Sequence, residues 1–286
     1  MKVLLTGATG FVGSHVARAL VRLGHDVHAV IRPTSDRRRI ADLERALTIH
    51  PGQMDDVPIA PDLAIHLAWY TVPGRYLTAP ENRECLEASR RLLNRLDCRA
   101  VCVGTCFEFD PAPGVLRGDS PTRPATLYAE CKDTLRREVV RREDSAWIRL
   151  FYQYGPWEDT RRLVPQIILG MLRGTPVSLT HGAQRRDFLH IEDVASAICA
   201  VATSGVTGPV NVGSGAAPSV RDIAMTIATQ VGRADLLRFG AIPSNAGEPP
   251  LIVADNARLR STGWSPRYDL EEGLAQTLEW WRRRPC

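Results

Sequence analysis

The sequence has no long uninterrupted apolar run and no closely spaced cysteine pair. None of its hydrophobic segments approaches the length of a transmembrane helix, so we expect neither a membrane span nor a membrane partner. Its 7 cysteines include no Cys-x-x-Cys motif, so neither a disulfide framework nor a metal site is indicated. Three of them, Cys98, Cys102 and Cys106, lie in and beside an apolar stretch typical of a strand. We therefore expect buried, reduced thiols.

The chain also lacks a concentrated block of positive charge. Its net charge is only +4 and its arginines are spread over predicted helix faces, which is typical of solvated surface and argues against nucleic-acid binding. A mildly basic balance instead suits an anionic substrate. Met1 leads directly into a short apolar segment, so we expect no signal peptide and a cytoplasmic location. A length of 286 residues allows one large domain or two small ones.

A glycine-rich turn near the start of the chain is the clearest functional motif. The apolar residues 3–5 predict a buried strand, and a helix begins within Gly7-x-x-Gly10-x-x-Gly13. Gly7 permits a sharp turn, Gly10 allows the backbone to approach a pyrophosphate, and Gly13 allows the helix to pack closely on the strand. Free N–H groups at the start of that helix form an anion site. The turn therefore predicts a dinucleotide site.

With Thr6 before it and Phe11-Val12 within it, this turn resembles that of the extended short-chain dehydrogenase/reductase family, whose members mostly act on nucleotide sugars. The similarity runs as far as Trp281 and includes the stretch at 185–195. It implies an α/β fold, a Rossmann-type doubly wound parallel sheet with a smaller C-terminal α/β substrate-binding lobe. The implied dinucleotide domain covers 1–151 with a returning segment at about 187–209, and the implied nucleotide-sugar lobe covers 152–186 and 210–286.

The predicted second strand, 27–31, ends without the acidic residue that usually binds the adenine ribose. Arg32 stands there instead. A guanidinium cannot accept the ribose hydroxyls, but it binds a 2′-phosphate through charge-assisted hydrogen bonds. The following run at 37–39 is typical of a solvated basic loop. We therefore predict NADPH/NADP as the cofactor and keep NAD as the alternative.

Three residues supply the groups that the reduction of a ketone needs. Tyr128 is the candidate proton donor, and Lys132, four residues further on, shares its helix face and can stabilise the phenolate. Thr105, at the end of the predicted strand 100–105, can orient the substrate oxygen. A Tyr-x-x-x-Lys spacing alone would indicate only a surface helix. Together with the glycine turn and Thr105, it favours catalysis.

The family resemblance implies roles for further residues. The implied cofactor contacts are Gly7, Thr9, Gly10, Phe11, Val12, Gly13, Arg32, Gln53, Met54, Leu67, Ala68, Tyr128 and Lys132. The implied substrate contacts are Tyr70, Cys106, Phe107, Tyr152, Val164, Leu179 and Arg186, of which the last matches the family's phosphate-binding arginine. A second family arginine is replaced around 245–247, and the family's active-site asparagine falls near Cys85 here. A strand is predicted at 63–68, and His66 is predicted to be a structural residue within it.

The residues after Thr105 narrow the reaction. The 4,6-dehydratases of this family carry an Asp-Glu pair directly after the threonine, and the 3,5-epimerising reductases carry a cysteine two residues after it. Here these positions hold Cys106 and Phe107. Glu108 is near, but in a continuing strand we expect its side chain to point away from the active face. Neither dehydration nor 3,5-epimerisation is indicated, which leaves simple hydride transfer.

Segments such as 239–242 and Gly263-Trp264 resemble the CDP-abequose and paratose synthase type of 4-ketoreductase. The leading hypothesis is NADPH-dependent reduction of a nucleoside-diphosphate 4-keto-6-deoxysugar, a step of deoxysugar biosynthesis. The alternatives are a nucleotide-sugar 4-epimerase with tightly bound NAD and a non-catalytic dinucleotide-sensing protein, although a sensor has no use for all three candidate catalytic residues. Because relatives pair through the helices predicted here at 80–96 and 128–142, a homodimer is expected.

Overall fold

The computed structural model describes residues 1–110, 114–244 and 247–284. In chain order, its strands are β1 (Lys2–Thr6), β2 (Asp26–Ile31), β3 (Leu47–Pro51), β4 (Leu63–His66), β5 (Arg99–Thr105), β6 (Val115–Leu116), β7 (Ser145–Leu150), β8 (Tyr152–Tyr154), β9 (Val177–Leu179), β10 (Arg185–Arg186), β11 (Phe188–His190), β12 (Gly208–Val212), β13 (Leu237–Phe239) and β14 (Leu251–Ala254). Its helices are α1 (Phe11–Arg22), α2 (Glu81–Asn94), α3 (Leu127–Val139), α4 (Leu163–Leu172), α5 (Ile191–Thr203), α6 (Val220–Val231), α7 (Ala257–Arg260) and α8 (Leu270–Arg282).

Seven strands form one parallel sheet in the order β3-β2-β1-β4-β5-β7-β12, which confirms the predicted Rossmann-type fold. The strand order reverses at β1, and in such sheets ligands bind in the crevice outside the carboxyl ends of the strands at that point. β12 forms the far edge and pairs in parallel with β7. The predicted domain boundary between 209 and 210 therefore falls inside a strand of this sheet.

Side chains of each central strand alternate between the two faces of the sheet. Val3 and Leu5 of β1 pack into a core formed with α1 and α5. Leu4, between them, packs on the opposite face with residues of α2 and α3. Helices therefore cover both faces, which explains why the central strands are almost continuously apolar.

A second apolar core lies among α4, α6 and α8 and includes β9 residues. The short strands beside it pair in parallel as β13 with β9, and β10 with β14, which in turn pairs with β6. α6 begins at a capping box, in which the Ser219 hydroxyl accepts from the Asp222 N–H at 3.0 Å. Nowhere in the described ranges is a helix long and apolar enough to cross a membrane.

Two predicted elements are shorter than expected. The strand predicted at 63–68 ends at His66, because the backbone N–H of Ala68 turns towards the Thr6 hydroxyl at 3.3 Å. The helix predicted at 128–142 ends at Val139, and it begins one residue earlier than expected, after Thr126, whose hydroxyl accepts from the Ala129 N–H at 3.3 Å and caps α3. Both boundaries lie beside predicted site residues.

Candidate active site

The glycine turn joins β1 to α1 in a shape that fits a pyrophosphate. Gly7 adopts φ of 78°, in the left-handed region, and a Cβ there would lie 2.7 Å from the backbone nitrogen of Ala68. A Cβ on Gly13 would lie 2.0 Å from the Gly7 carbonyl oxygen. Gly10 precedes α1 and provides no side-chain cap for its first N–H groups. Only glycine therefore fits at positions 7 and 13 of this closely packed turn, and the first N–H groups of α1 can serve as an anion site at a helix start.

The other predicted cofactor residues lie at the same edge of the sheet. Arg32 follows β2, Gln53 and Met54 follow β3, and Leu67 and Ala68 follow β4; Thr9, Phe11 and Val12 lie in the glycine turn or the first turn of α1. These positions surround the carboxyl end of β1, where the strand order reverses. The structure therefore brings the predicted dinucleotide residues to one crevice.

The arginines of the loop after β2 differ in their contacts. Arg39 donates from both Nε and an Nη to the Trp157 carbonyl oxygen at 3.2 Å. Arg38 forms an ion pair with Asp36 at 3.0 Å on the surface. Arg32 directly follows β2 and is exposed. Arg32 is therefore free to meet solvent at this edge of the sheet, while Arg39 contributes to the loop structure.

Thr105 ends β5, while Tyr128 and Lys132 lie one turn apart on α3. All three are buried, with 7, 8 and 4% of their surface exposed. Burial raises the pKa of the Tyr128 hydroxyl above its ordinary value, the neighbouring Tyr76 adds to this, and a side-chain hydrogen bond with Thr105 acts in the opposite direction. Tyr128 therefore stays protonated at neutral pH, as a proton donor must.

Lys132 makes two close contacts through its ammonium group. Nζ donates to the Val103 carbonyl oxygen at 2.6 Å and lies 3.7 Å from the ring centroid of Trp69. Burial lowers the pKa of Lys132 to about 8, and the Glu108 carboxylate opposes this. The lysine thus lies in a dry environment in which small changes of surroundings affect its charge.

The expectation that a strand continues through Glu108 is wrong. After Thr105 the chain enters a short 3-10 helix at 106–108 and does not continue as a strand. The Glu108 carboxylate turns inward, is completely buried, and accepts from the Thr105 N–H at 2.8 Å, from Trp147 Nε1 at 3.0 Å and from Arg149 Nε at 2.8 Å. Its carboxylate therefore holds the backbone N–H of the candidate catalytic Thr105 in place.

Asn82 is a buried polar residue beside the candidate site that the sequence analysis did not single out. The family asparagine was expected near Cys85, but Asn82, about one turn earlier in α2, is completely buried. Its Oδ1 accepts from Trp69 Nε1 at 2.8 Å, and its Nδ2 donates to the carbonyls of Tyr76 at 2.7 Å and Ala79 at 2.8 Å. An asparagine in the first turn of a helix could have been recognised as unusual, because its side chain competes with the helix backbone.

The structural role expected of His66 agrees with its contacts. The buried ring lies between the Thr6 hydroxyl, at 2.7 Å from Nδ1, and the Ser89 hydroxyl, at 2.8 Å from Nε2. Burial lowers its pKa to about 3, so the ring is neutral at physiological pH. It ties β4 to β1 and α2.

Four predicted substrate residues lie together next to Thr105. Cys106 follows it directly, the ring of Phe107 lies 6.3 Å from that of Tyr152, and the Arg186 guanidinium lies 5.9 Å from the Tyr152 ring. Arg186 is 3% exposed and forms an ion pair with Glu248 at 2.6 Å. The result is an aromatic wall with one buried cation beside it.

The other predicted substrate residues are placed differently. Val164 and Leu179 are buried in the second apolar core, at 1 and 6% exposure, so their side chains contact other apolar residues rather than an open cleft. Tyr70 follows β4 and is partly exposed. The expected loss of a second arginine falls partly on Asn245 and Ala246, which lie outside the described residues. In the described ranges, no group of three histidine, cysteine or acidic side chains could hold a metal ion.

Comparison with known proteins identifies the family. The model of the NAD dependent epimerase/dehydratase family matches residues 3–213. The dTDP-glucose 4,6-dehydratase of Streptomyces niveus is 28% identical over 317 residues, covering 99% of this chain and 93% of that protein. The CDP-abequose synthase of Salmonella typhimurium is 25% identical over 295 residues, covering 97% of each. The structure of MoeE5 in complex with UDP-glucose and NAD matches with a TM-score of 0.82 at 28% identity, covering 99% of both chains. This protein belongs to the NAD dependent epimerase/dehydratase family, whose members similar to it are enzymes that modify nucleotide sugars.

Proposed function

We propose that this protein is an NADPH-dependent reductase of the 4-keto group of a nucleoside-diphosphate 4-keto-6-deoxysugar. The observation that carries the proposal is the buried grouping of Thr105, Tyr128 and Lys132, followed by Cys106 and Phe107 where dehydratases have an acid pair. The groups for ketone reduction are present, and those for dehydration are not at their expected positions. Similarity to a CDP-abequose synthase over nearly the full chain supports this choice.

In the proposed reaction, the Thr105 hydroxyl orients the sugar carbonyl oxygen and Tyr128 donates its phenolic proton to that oxygen. A nicotinamide dinucleotide, when bound, would supply the hydride for the carbonyl carbon. The Lys132 ammonium stabilises the phenolate that remains on Tyr128 until a proton returns from solvent. The inward-facing Glu108 holds the backbone N–H of Thr105 in place throughout.

The glycine turn would hold the dinucleotide pyrophosphate, and Arg32 would bind the 2′-phosphate of NADPH. For the substrate, we propose that Arg186 binds the diphosphate and that Tyr152 and Phe107 line the sugar pocket. The Arg186–Glu248 ion pair, at 2.6 Å, must then be shared with the substrate. In this scheme, the lobe formed by 152–186 and by the residues after β12 recognises the nucleotide sugar.

One observation favours a second candidate, a nucleotide-sugar 4-epimerase that keeps NAD bound. MoeE5, which is 28% identical over 99% of both chains, was solved in complex with UDP-glucose and NAD. An epimerase oxidises and re-reduces the same carbon, so it needs the same three side chains. Arg32 in place of an acid favours the reductase, because a guanidinium does not accept hydrogen bonds from the ribose of NAD.

The deciding experiment compares NADPH consumed with product formed on a nucleoside-diphosphate 4-keto-6-deoxysugar. The reductase consumes one NADPH per sugar reduced and leaves the purified protein free of NAD. Epimerisation of a 4-hydroxy nucleotide sugar without added cofactor, by protein that carries NAD through purification, would replace this proposal with the epimerase.

We also propose a cytoplasmic homodimer that pairs through α2 and α3. Part of the heavy positive charge on these helices is neutralised within the chain, since Arg90 donates to Glu138 at 3.0 Å and Arg137 to Asp133 at 2.7 Å. Light scattering at micromolar concentration tests this, and a monomer mass would refute it.

A further inference from the structure

Lys132 has unusual surroundings for a buried ammonium. It is 4% exposed, and the close contacts that the structure gives Nζ are a carbonyl oxygen and an aromatic face. Among the described side chains, no carboxylate lies within ion-pair distance of Nζ. A desolvated ammonium without an ion-pair partner tends to lose its proton.

The aromatic face belongs to Trp69, which is itself fixed in place. Its ring centroid lies 3.7 Å from Lys132 Nζ, and its Nε1 donates to Asn82 at 2.8 Å. Asn82 is completely buried and is bound in turn to two backbone carbonyls, at Tyr76 and Ala79. The indole therefore cannot rotate away from the ammonium without breaking its hydrogen bond to the buried Asn82 side chain.

The segment 76–79, whose carbonyls bind Asn82, also contacts the candidate proton donor Tyr128. Tyr76 packs edge-on against the Tyr128 ring, with centroids 5.0 Å apart, and the Tyr128 N–H donates to the Leu77 carbonyl at 3.0 Å. The segment that anchors Asn82 thus contacts α3 at the residue one turn before Lys132. Hydrogen bonds and ring contacts therefore connect Trp69, Asn82 and the segment 76–79 with the side chains of Lys132 and Tyr128.

We propose that Trp69 is a positioning residue for Lys132: its indole face, fixed by Asn82, keeps the buried ammonium charged and in place beside Tyr128. The negative face of an indole attracts a cation, and this attraction grows when water is excluded. A smaller apolar residue at 69 would leave the lysine without this partner. The inference rests on the role proposed above for Lys132.

The sequence makes a direct test possible, because Lys2 and Lys132 are its only lysines. Full-length protein labelled with ¹³C,¹⁵N-lysine gives two sets of side-chain signals, and Lys2→Arg assigns them. In the wild type, the Lys132 Cε protons should be shifted upfield by the ring current of Trp69. An unshifted wild-type signal overturns the proposal before any variant is made.

Trp69→Leu should remove the ring-current shift. It should also lower the pKa of Lys132 by about one, the size expected of a desolvated cation–π contact, and an NMR titration measures this pKa. Trp69→Phe keeps an aromatic face and should retain most of both effects. Trp280→Leu is the matched control, since Trp280 packs against Trp157 and Trp281 near the C terminus. A pKa that is unchanged or higher in Trp69→Leu, or an equal fall in Trp280→Leu, overturns the proposal. If Trp69→Leu does not fold, the ring-current shift of the wild type and the titration of Trp69→Phe still test the proposal.

The titration is made on free protein, without substrate or cofactor. If it gives the expected result while the NADPH assay shows no ketone reduction, the proposed function fails and the contact between Trp69 and Lys132 stands. If reduction is observed but the titration does not respond to Trp69→Leu, only the positioning role fails. In active enzyme, the alkaline limb of kcat should move to lower pH in Trp69→Leu, while KM for the sugar stays within a factor of about two.

Discussion

Glu108 and Arg149 form an ion pair, Oε2 to Nε at 2.8 Å, in which the side chains are 0 and 1% exposed. The same carboxylate accepts hydrogen bonds from Trp147 Nε1 and from the Thr105 backbone. One buried charge therefore holds together β5, β7 and the backbone of the proposed catalytic threonine. Such a group is costly to remove from one side only, because its partner is left charged and buried.

Glu108→Ala should accordingly lower the free energy of unfolding by about 3–5 kcal/mol, since Arg149 would remain buried without a counter-charge. Urea denaturation measures this. Glu143→Ala, at an exposed glutamate after α3, is the matched control and should stay within about 0.5 kcal/mol of the wild type. Equal losses in both variants would show that the buried pair has no special weight.

Tyr128→Phe removes the proposed proton donor but keeps the ring that packs against Tyr76 at 5.0 Å. Turnover should fall by a factor of about 10² or more, while the protein still folds and binds NADPH. NADPH fluorescence gives the binding, and absorbance at the cofactor band gives the rate. Turnover near that of the wild type would remove Tyr128 from the mechanism.

Gly13→Ala tests the cofactor cradle. The new Cβ would lie 2.0 Å from the Gly7 carbonyl oxygen, so the turn must distort and the helix N–H groups move. Binding of NADPH should weaken by about tenfold or more, the effect of losing 1.4 kcal/mol or more of binding free energy. Gly205→Ala is the control, because a Cβ there has no neighbour within 4 Å. Unchanged affinity in Gly13→Ala would place the dinucleotide elsewhere.

Arg32→Asp should reverse the cofactor preference from NADPH to NADH. A carboxylate repels the 2′-phosphate and accepts hydrogen bonds from the ribose hydroxyls. Arg38→Asp makes the same charge change in the same loop, at a residue that pairs with Asp36, and should leave the preference unchanged. The measurement is the ratio of kcat/KM for the two cofactors. A wild type that uses both equally would contradict the role of Arg32.

The fold was predictable because its determinants are local and repeated. Buried parallel strands are short apolar runs, and the turn through Gly7, Gly10 and Gly13 places the first helix against the first strand. The three candidate catalytic residues could also be predicted from the sequence, since Tyr128 and Lys132 share a helix face and Thr105 ends a strand. The ends of strands and helices were less predictable, as at the end of β4 at His66, because they depend on contacts with distant residues.

The contacts that fix Glu108 were beyond local reasoning for a different reason, whereas Asn82 could have been singled out by its place in the first turn of a helix but not its partner Trp69. The inward turn of Glu108 depends on Trp147 and Arg149, some forty positions away, and on Gly104, where a Cβ would lie 2.1 Å from the Glu108 carboxylate. The position of Asn82 depends on Trp69. Long-range polar networks of this kind leave no periodic pattern in the sequence.

Two buried histidines should make the stability fall in mild acid. Burial lowers the pKa of His66 from 6.5 to about 3 and that of His15 from 6.5 to about 4. The unfolded chain therefore takes up protons below pH 6.5 that the folded chain refuses until much lower pH. The stabilisation from the neutral rings is complete above pH 6.5 and is lost as the pH falls towards these lowered values, at ~1.4 kcal/mol per pH unit for each histidine.

Replacing either His15 or His66 should halve the pH dependence of the unfolding free energy that these two histidines cause. His66→Asn keeps a donor and an acceptor near Thr6 but has no titrating ring, so we expect the loss of unfolding free energy between pH 6.5 and 5 to shrink by about 2 kcal/mol relative to the wild type. His181→Asn, at an exposed histidine, is the control and should follow the wild-type curve. Urea denaturation at half-unit pH steps measures all three proteins. If the His66→Asn curve runs parallel to that of the wild type, the ring of His66 is not held neutral by the fold.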